Sequence, residues 1–311
     1  MTQMKLLIYC FIIITPIFLF AFQKYDLSFK EFQKGKDSFE NGDYRTAIEF
    51  LTKSIKQDSL FADAFNLRGI SYLKLFKYDE ALKDFTAAID LNLLKIGIFG
   101  KNKEKAEDLK ELKKILSNYY FNRALVYQEK SDFSNAVSDY KYVIEYDSNH
   151  KMSYFNLGYI FYEQKKFDSA IAYFSDVLRI DPRDNDALYN RANVYITIKD
   201  YEKAIADLEI LTRNFKNNAE VFTSLGDCYF YQKDYKSAIE NYSAALKITS
   251  KLPVALMNRA RAYKALEDYN NAIKDYNNFL KIAKNEPVYS TYIETIKIEL
   301  NQVKYMQKKK K

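Results

Sequence analysis

The chain of 311 residues has no Trp, 7 Gly, 4 Pro, 2 Cys and 1 His. So little Gly and Pro leaves too few turn residues for an all-β sandwich or barrel. Two cysteines and one histidine are too few for a Cys/His zinc site or a disulfide framework. A histidine-based triad could draw only on His150. The phosphate loop GxxxxGK, the dinucleotide fingerprint GxGxxG and the zinc motif HExxH are all missing. No catalytic residue, metal ligand or cofactor site follows from the sequence, and the protein is expected not to be an enzyme. What it has in quantity is 28 Tyr, 23 Phe and a hydrophobic share of 48%, too apolar for intrinsic disorder.

The net charge of +7 is concentrated. Lys308, Lys309, Lys310 and Lys311 supply four charges and Lys5 one. Residues 96–116 add two, because six Lys there face four acidic residues. The remainder is neutral, so nothing suggests a nucleic-acid partner. Near the N-terminus, Lys5 precedes the uncharged run 6–22, LLIYCFIIITPIFLFAF. A basic start, an apolar middle and Ala21 at a plausible cut describe a secretory signal peptide over 1–22. Leu19 sits where a small residue is preferred, and a run of 17 residues is also the short limit for a membrane anchor. A buried helix is the third reading. Export to a periplasmic or extracellular location is therefore expected, with anchoring through 6–22 as the alternative. Cleavage would remove Cys10 and leave Cys228 alone.

Self-similarity organises the rest. Gly35, Gly69, Ala124, Gly158, Ala192, Gly226 and Ala260 recur every 34 residues, apart from one gap of 55 that holds an insertion of 21. Twelve residues after each stands an alanine: Ala47, Ala81, Ala136, Ala170, Ala204, Ala238, Ala272. An aromatic residue precedes each alanine by three, from Tyr44 and Tyr78 to Tyr235 and Tyr269. Leu51, Phe85, Tyr140, Phe174, Leu208, Tyr242 or Tyr276 follows it by four. Spacings of three and four keep these side chains on one helical face. Small residues let two helices approach, and the rings fill the space around the contact. Asp43, Asp132, Asp200, Asp234 and Asp268 stand where a short acceptor can cap the second helix of each pair. One helix pair cannot bury its apolar face alone, so stacking is required.

This pattern resembles the tetratricopeptide repeat, and the closing Asp181-Pro182 and the stretch 155–182, FNLGYIFYEQKKFDSAIAYFSDVLRIDP, match it almost throughout. The resemblance implies an all-α, right-handed superhelical solenoid of helix-turn-helix units with a C-terminal capping helix. Repeats one and two occupy 28–95 and repeats three to seven occupy 117–286. The usual Trp of the family is replaced by Glu31, Phe65, Tyr120, Tyr154, Leu188, Phe222 and Leu256, and the first repeat is the weakest. The RNA-reading pentatricopeptide repeat has a period of 35 and fits less well.

Beyond Pro287, the apolar stripe Tyr289, Ile293, Ile296, Leu300 and Val303 predicts a capping helix over 287–307, with Glu294, Lys297, Asn301 and Lys304 turned outward. Residues 308–311 read as a frayed basic tail. Residues 96–116 read as a charged insertion that extends the first helix of repeat three backward, with Gly97 and Gly100 marking a break before it. Ile96, Ile98 and Phe99 are expected to fold back as core, or else to dock a partner. His150 reads as a surface histidine in an inter-repeat turn, and Cys228 as a small buried hydrophobe.

The remaining candidate site is the face made by the first helices. Phe121, Phe155, Tyr159, Tyr162, Tyr189, Phe230 and Tyr231 share one side of them, with Asn122, Asn156, Asn190 and Asn258 beside. Rigid rings and amides suit an extended peptide or a partner helix, and rings also suit a stacked sugar chain. Family members that clamp a carboxylate use Lys and Arg on this face. Phe121, Met152 and Asn190 stand at those places, which speaks against that activity. The expected function is a non-enzymatic scaffold or adaptor of the cell envelope or secretory compartment. Its partner would be a protein, or alternatively an envelope glycan such as peptidoglycan. A membrane enters only through the N-terminal segment, if that is retained.

Overall fold

The computed structural model describes residues 26–99 and 106–310. The segment 6–22 and the insertion's residues 100–105 lie outside the described residues. Among the described residues there is no strand, and no helix is long and apolar enough to cross a membrane. The described residues form fifteen α-helices in order. They are α1 (26–40), α2 (Tyr44–Gln57), α3 (Ala62–Lys74), α4 (Tyr78–Phe99), α5 (Ala106–Glu129), α6 (Phe133–Tyr146), α7 (Lys151–Glu163) and α8 (Phe167–Ile180). There follow α9 (Asn185–Thr197), α10 (Tyr201–Asn214), α11 (Ala219–Tyr231), α12 (Tyr235–Ile248), α13 (Pro253–Ala265), α14 (Tyr269–Ala283) and α15 (Ser290–Lys310).

Contacts divide the chain into two compact units, Met1–Leu157 and Gly158–Lys311. Within each, consecutive helices pack on one another, and first helices of successive repeats also meet, α3 with α5 in the first unit and α11 with α13 in the second. This is the expected all-α solenoid packing, in which the first helices of successive repeats lie side by side.

The core follows the sequence period. All seven alanines from Ala47 to Ala272 are fully buried, and the residue four further on is buried in every repeat, from Leu51 to Tyr276. The small residue sixteen before it is what admits that side chain. A methyl group added at Gly158 would stand 2.8 Å from the Phe174 ring, closer than atoms pack. Between the helices of each pair the chain turns through one left-handed residue, at Gly42, Phe76, Ser131, Lys165, Lys199, Lys233 or Glu267. Only the first of these is glycine, so the other six hold a conformation that costs a side-chain-bearing residue about 1 kcal/mol. The five expected caps are present: Asp43, Asp132, Asp200, Asp234 and Asp268 each accept the N–H three residues on. Side-chain hydrogen bonds from Thr46, Lys203 and Ser237, joined by those N–H groups, favour the ionised form and hold the Asp43, Asp200 and Asp234 carboxyls below their usual range.

Three expectations need correction. Gly97 does not break the chain; α4 continues through it to Phe99, 22 residues against 14 in α2 or α6. An isolated glycine costs a helix only about 1 kcal/mol, and here its place on an exposed face needs no side chain to pack. Residues 96–99 therefore belong to the second helix of repeat two rather than to the helix that follows. Of the residues expected to fold back as core, Ile96 packs beside Ala88, Ile89 and Leu116, whereas Ile98 is 63% exposed. Last, the basic tail is not frayed as far as Lys310. The α15 helix extends to that residue, whose ammonium pairs with Glu267 at 2.6 Å.

The capping helix buries Ile296, Leu300 and Val303 against Leu256, Met257, Ala260 and Phe279, with Tyr289 and Ile293 at the margin. Its attachment is also polar. Arg261 donates two hydrogen bonds to Glu299 at 2.8 and 3.1 Å, and the Tyr276 hydroxyl donates to the same carboxylate at 2.6 Å.

Candidate functional site

The candidate residues divide between the two units. In the first, Phe121 sits half-buried between Tyr140, 5.8 Å away, and His150, 4.7 Å away. Asn122 donates its amide to Asn66 across the repeat boundary at 3.0 Å. Asn156 donates to the Tyr140 hydroxyl at 2.9 Å, and that hydroxyl donates to Gln128 at 2.9 Å. Phe155 is half-buried. Tyr140 thus links Phe121 and Asn156 in one network, a chain of polar groups that satisfies an otherwise buried phenol. The amide donors of Asn122 and Asn156 are engaged in joining repeats.

In the second unit, Tyr159 is 42% exposed and Tyr162 is half-buried beside Phe167. Tyr189 lines a cavity of about 190 Å³ with Leu211, Phe215 and Val221, and Asn190 donates its amide to the Asp186 carbonyl of its own helix. Phe230 meets Tyr231 and Tyr235 edge-on. Tyr231 lies flat on Tyr201, with centroids 5.2 Å apart and planes 11° apart, yet is 61% exposed. Phe230 also lines a cavity of about 630 Å³ with Arg261, Lys264, Tyr269, Glu299 and Met306. Aromatic wall and charged floor therefore adjoin along α11, α13 and α15. Lys264 there donates to the neutral Gln302 at 3.2 Å.

Cys228 and His150 both have structural surroundings. Cys228 is buried, and burial pushes its thiol up to about 12, which leaves no thiolate at neutral pH. His150 is not the solvated histidine expected. It is half-buried against Phe121, and its Nδ1 accepts the Ser153 N–H at 3.3 Å, capping α7 as Asp184 caps α9 and Asn218 caps α11. Burial holds its pKa below the usual value, with nearby Asp147 opposing.

Sequence reasoning missed a second recurring set. Arg68, Arg123, Arg191 and Arg259 each grip an aspartate sixteen residues on (Asp84, Asp139, Asp207 and Asp275) through two hydrogen bonds of 2.7–2.9 Å. The remaining guanidinium nitrogen donates to a hydroxyl of the preceding repeat: Thr52, Thr86, Ser175 or Ser243. Aromatic rings flank three of these cations, as Tyr120 and Tyr127 do for Arg123. The forked geometry fits a carboxylate and explains why Arg rather than Lys recurs. A signal was there to be read. Where the arginine is replaced by Lys34, Leu157 or Leu225, the aspartate is replaced too, by Phe50, Tyr173 or Asn241.

Comparison with known proteins agrees with this geometry. Tetratricopeptide repeat family models match residues 62–92, 121–185, 161–228 and 254–286, and a TPR repeat model matches 226–267. The chain belongs to the tetratricopeptide repeat family. The unmatched stretch after residue 92 is the place where α4 and α5 are lengthened. The first repeat lies before the matches, but its α2 carries the buried Ala47 and Leu51. Among solved structures, the C-terminal part of a TPR repeat-containing protein from Cytophaga hutchinsonii is similar with TM-score 0.66 and 22% identity, over 85% of this chain and 98% of that one. A tetratricopeptide repeat protein from Parabacteroides merdae gives TM-score 0.52 and 16% identity over 88% and 99%. YrrB, described as a TPR protein with an unusual peptide-binding site, gives 0.53 and 16% over 66% and 95%. At these identities the likeness carries the fold. The family membership makes protein–protein interaction the general role of the chain.

Proposed function

We propose that the chain is a non-enzymatic adaptor that holds a partner peptide or helix against its first helices, and that it works outside the cytoplasm. The observation that carries the first part is the exposure of Tyr159 and Tyr231 on the first helices of the second unit. The rings at the repeat's own core positions are buried, so these two are in excess of what packing uses. Exposed tyrosines offer large contact area at small entropic cost. The half-buried rings Tyr162, Tyr189 and Phe230 of the same unit would add contact area and Asn190 a polar edge, whereas in the first unit Phe121, Asn122 and Asn156 serve chiefly to join repeats. The peptide-binding site named for YrrB supports the same reading by analogy. Export rests on the apolar segment 6–22 behind Lys5.

A cross-linked pull-down from native cells, comparing wild type with a Tyr159→Ala, Tyr231→Ala variant, tests the binding face. Both rings are exposed, so the variant should melt as wild type does while defined partners disappear. Partners that persist would refute this face. N-terminal sequencing of the native protein tests export: a start near Phe22 or Gln23 in an envelope fraction is expected, and full-length chain in the cytosol would refute it. The flat Tyr201–Tyr231 pair also favours a second reading, a platform for an envelope glycan. Retention on purified cell-wall material, lost in Tyr231→Ala, would select it over the adaptor.

A further inference from the structure

The capping helix α15 buries one stripe, but its opposite side is not the polar surface that a purely solvating cap needs. Ile298 is 59% exposed and Tyr305 60% exposed. Seven residues apart, they lie on one line along the helix, turned away from buried Ile296, Leu300 and Val303. Around them the charges are polarised along the axis. Glu294 and Lys297 stand in the first half, and Lys304, Lys308 and Lys309, with no acid among them, in the second. The acid is tied only to Lys297 one turn on, an exposed pairing worth little. Lys309 lies over the Tyr305 ring at 4.9 Å.

We propose that this outward face is a self-association surface, on which a second copy of the chain lays its own α15 antiparallel. One register satisfies both the apolar and the charged residues. Ile298 of each copy covers Tyr305 of the other, Asn301 and Gln302 meet at the two-fold axis, and Glu294 faces Lys308 and Lys309. The contact is isologous, so it closes at two copies and does not propagate. A parallel arrangement would oppose lysine with lysine and leave Glu294 against itself. Asn301 at the centre of the seam pairs with Gln302 of the other copy and penalises slipped registers, as a buried amide does in paired helices. A seam of one helix per copy lies at the small end of stable interfaces, so the dimer is weak, with a Kd in the micromolar range of about 1–100 µM.

The test is sedimentation velocity of the full-length chain in a nonionic detergent, which keeps segment 6–22 from associating by itself. Loading concentrations run from about 1 to 100 µM. Dimer should grow with concentration in wild type and vanish in Ile298→Glu and, separately, in Tyr305→Glu. Because both residues are exposed, the circular-dichroism melts of the variants should match wild type, and either variant alone suffices if the other misfolds. Replacing Lys308 and Lys309 by Glu should raise Kd by about tenfold or more, and adding Glu294→Lys should restore it. Wild type that stays monomeric at the highest concentration overturns the proposal, as does a dimer whose Kd is unchanged by Ile298→Glu and Tyr305→Glu. Failure of the charge swap to restore the dimer overturns the antiparallel register.

Discussion

Removing Asp207 should cost more than its one side chain suggests. Its carboxylate takes two hydrogen bonds from Arg191, at 2.8 and 2.7 Å, and the third guanidinium bond goes to Ser175 at 2.8 Å. In Asp207→Ala the cation keeps only the serine. Breaking a buried ion pair by deleting one partner costs about 3–5 kcal/mol. The Arg191 guanidinium is partly open and can take up water in place of the acid, which places the expected loss near the lower bound, about 3 kcal/mol. With a urea m-value of about 3 kcal/mol/M, the unfolding midpoint should fall by about 1 M. The decisive comparison is a double variant, Arg191→Leu with Asp207→Tyr, which copies the residues Leu157 and Tyr173 that repeat four carries at these positions. Replacing a whole buried pair by apolar residues is often neutral, so the double variant should recover most of the loss. Urea denaturation followed by circular dichroism reads all of them. A single variant that loses under about 1 kcal/mol, or a double variant no better than Asp207→Ala, would show that the pair is not coupled as the geometry requires.

Two further perturbations follow from the packing. Gly158→Ala places a methyl group against the Phe174 ring and should destabilise by about 1–3 kcal/mol; adding Phe174→Leu, which reproduces the Ala192 and Leu208 combination of the next repeat, should relieve it in the same urea assay. The neutral imidazole of His150 is favoured by burial and caps α7, so its folded pKa is lowered and the unfolded chain takes up the proton first. Its contribution is therefore present above the unfolded value of about 6.5 and is lost as pH falls through that value toward the folded one. His150→Asn retains a capping oxygen without the proton, so thermal melts of wild type and variant should diverge as pH is lowered and run parallel above neutrality. Parallel melts throughout would refute the assignment.

The packing of His150 on Phe121 and the arginine–aspartate pairs are contacts between separate elements, which no pattern within one helix displays. The seven small residues, the seven alanines and the rings around them lie within one helix pair, and a helix repeats its face every three to four residues. A period of 34 was therefore enough to read the fold, the five aspartate caps and the buried stripe of the last helix. Gly97 misled because a glycine costs a helix only about 1 kcal/mol, and its exposed place there needs no side chain to pack. Ile98 misled because burial is decided by what other helices cover, and it stays 63% exposed.

Only tertiary structure decided which aromatic side chains are left over. Phe121 and Tyr231 occupy comparable faces in the sequence, yet one is wedged between Tyr140 and His150 while the other lies open on Tyr201. The amides of Asn122 and Asn156 looked available for a partner until the neighbouring repeat supplied their acceptors. The arginine–aspartate pairs bridge sixteen residues, from one helix to the next, and the hydroxyls that complete them come from the preceding repeat. Exposure and hydrogen bonding are settled by what stacks above and below each unit. The chain by itself determined that its units must stack, because one helix pair cannot cover its own apolar face. Stacking then determined which rings, amides and charges remained for a partner.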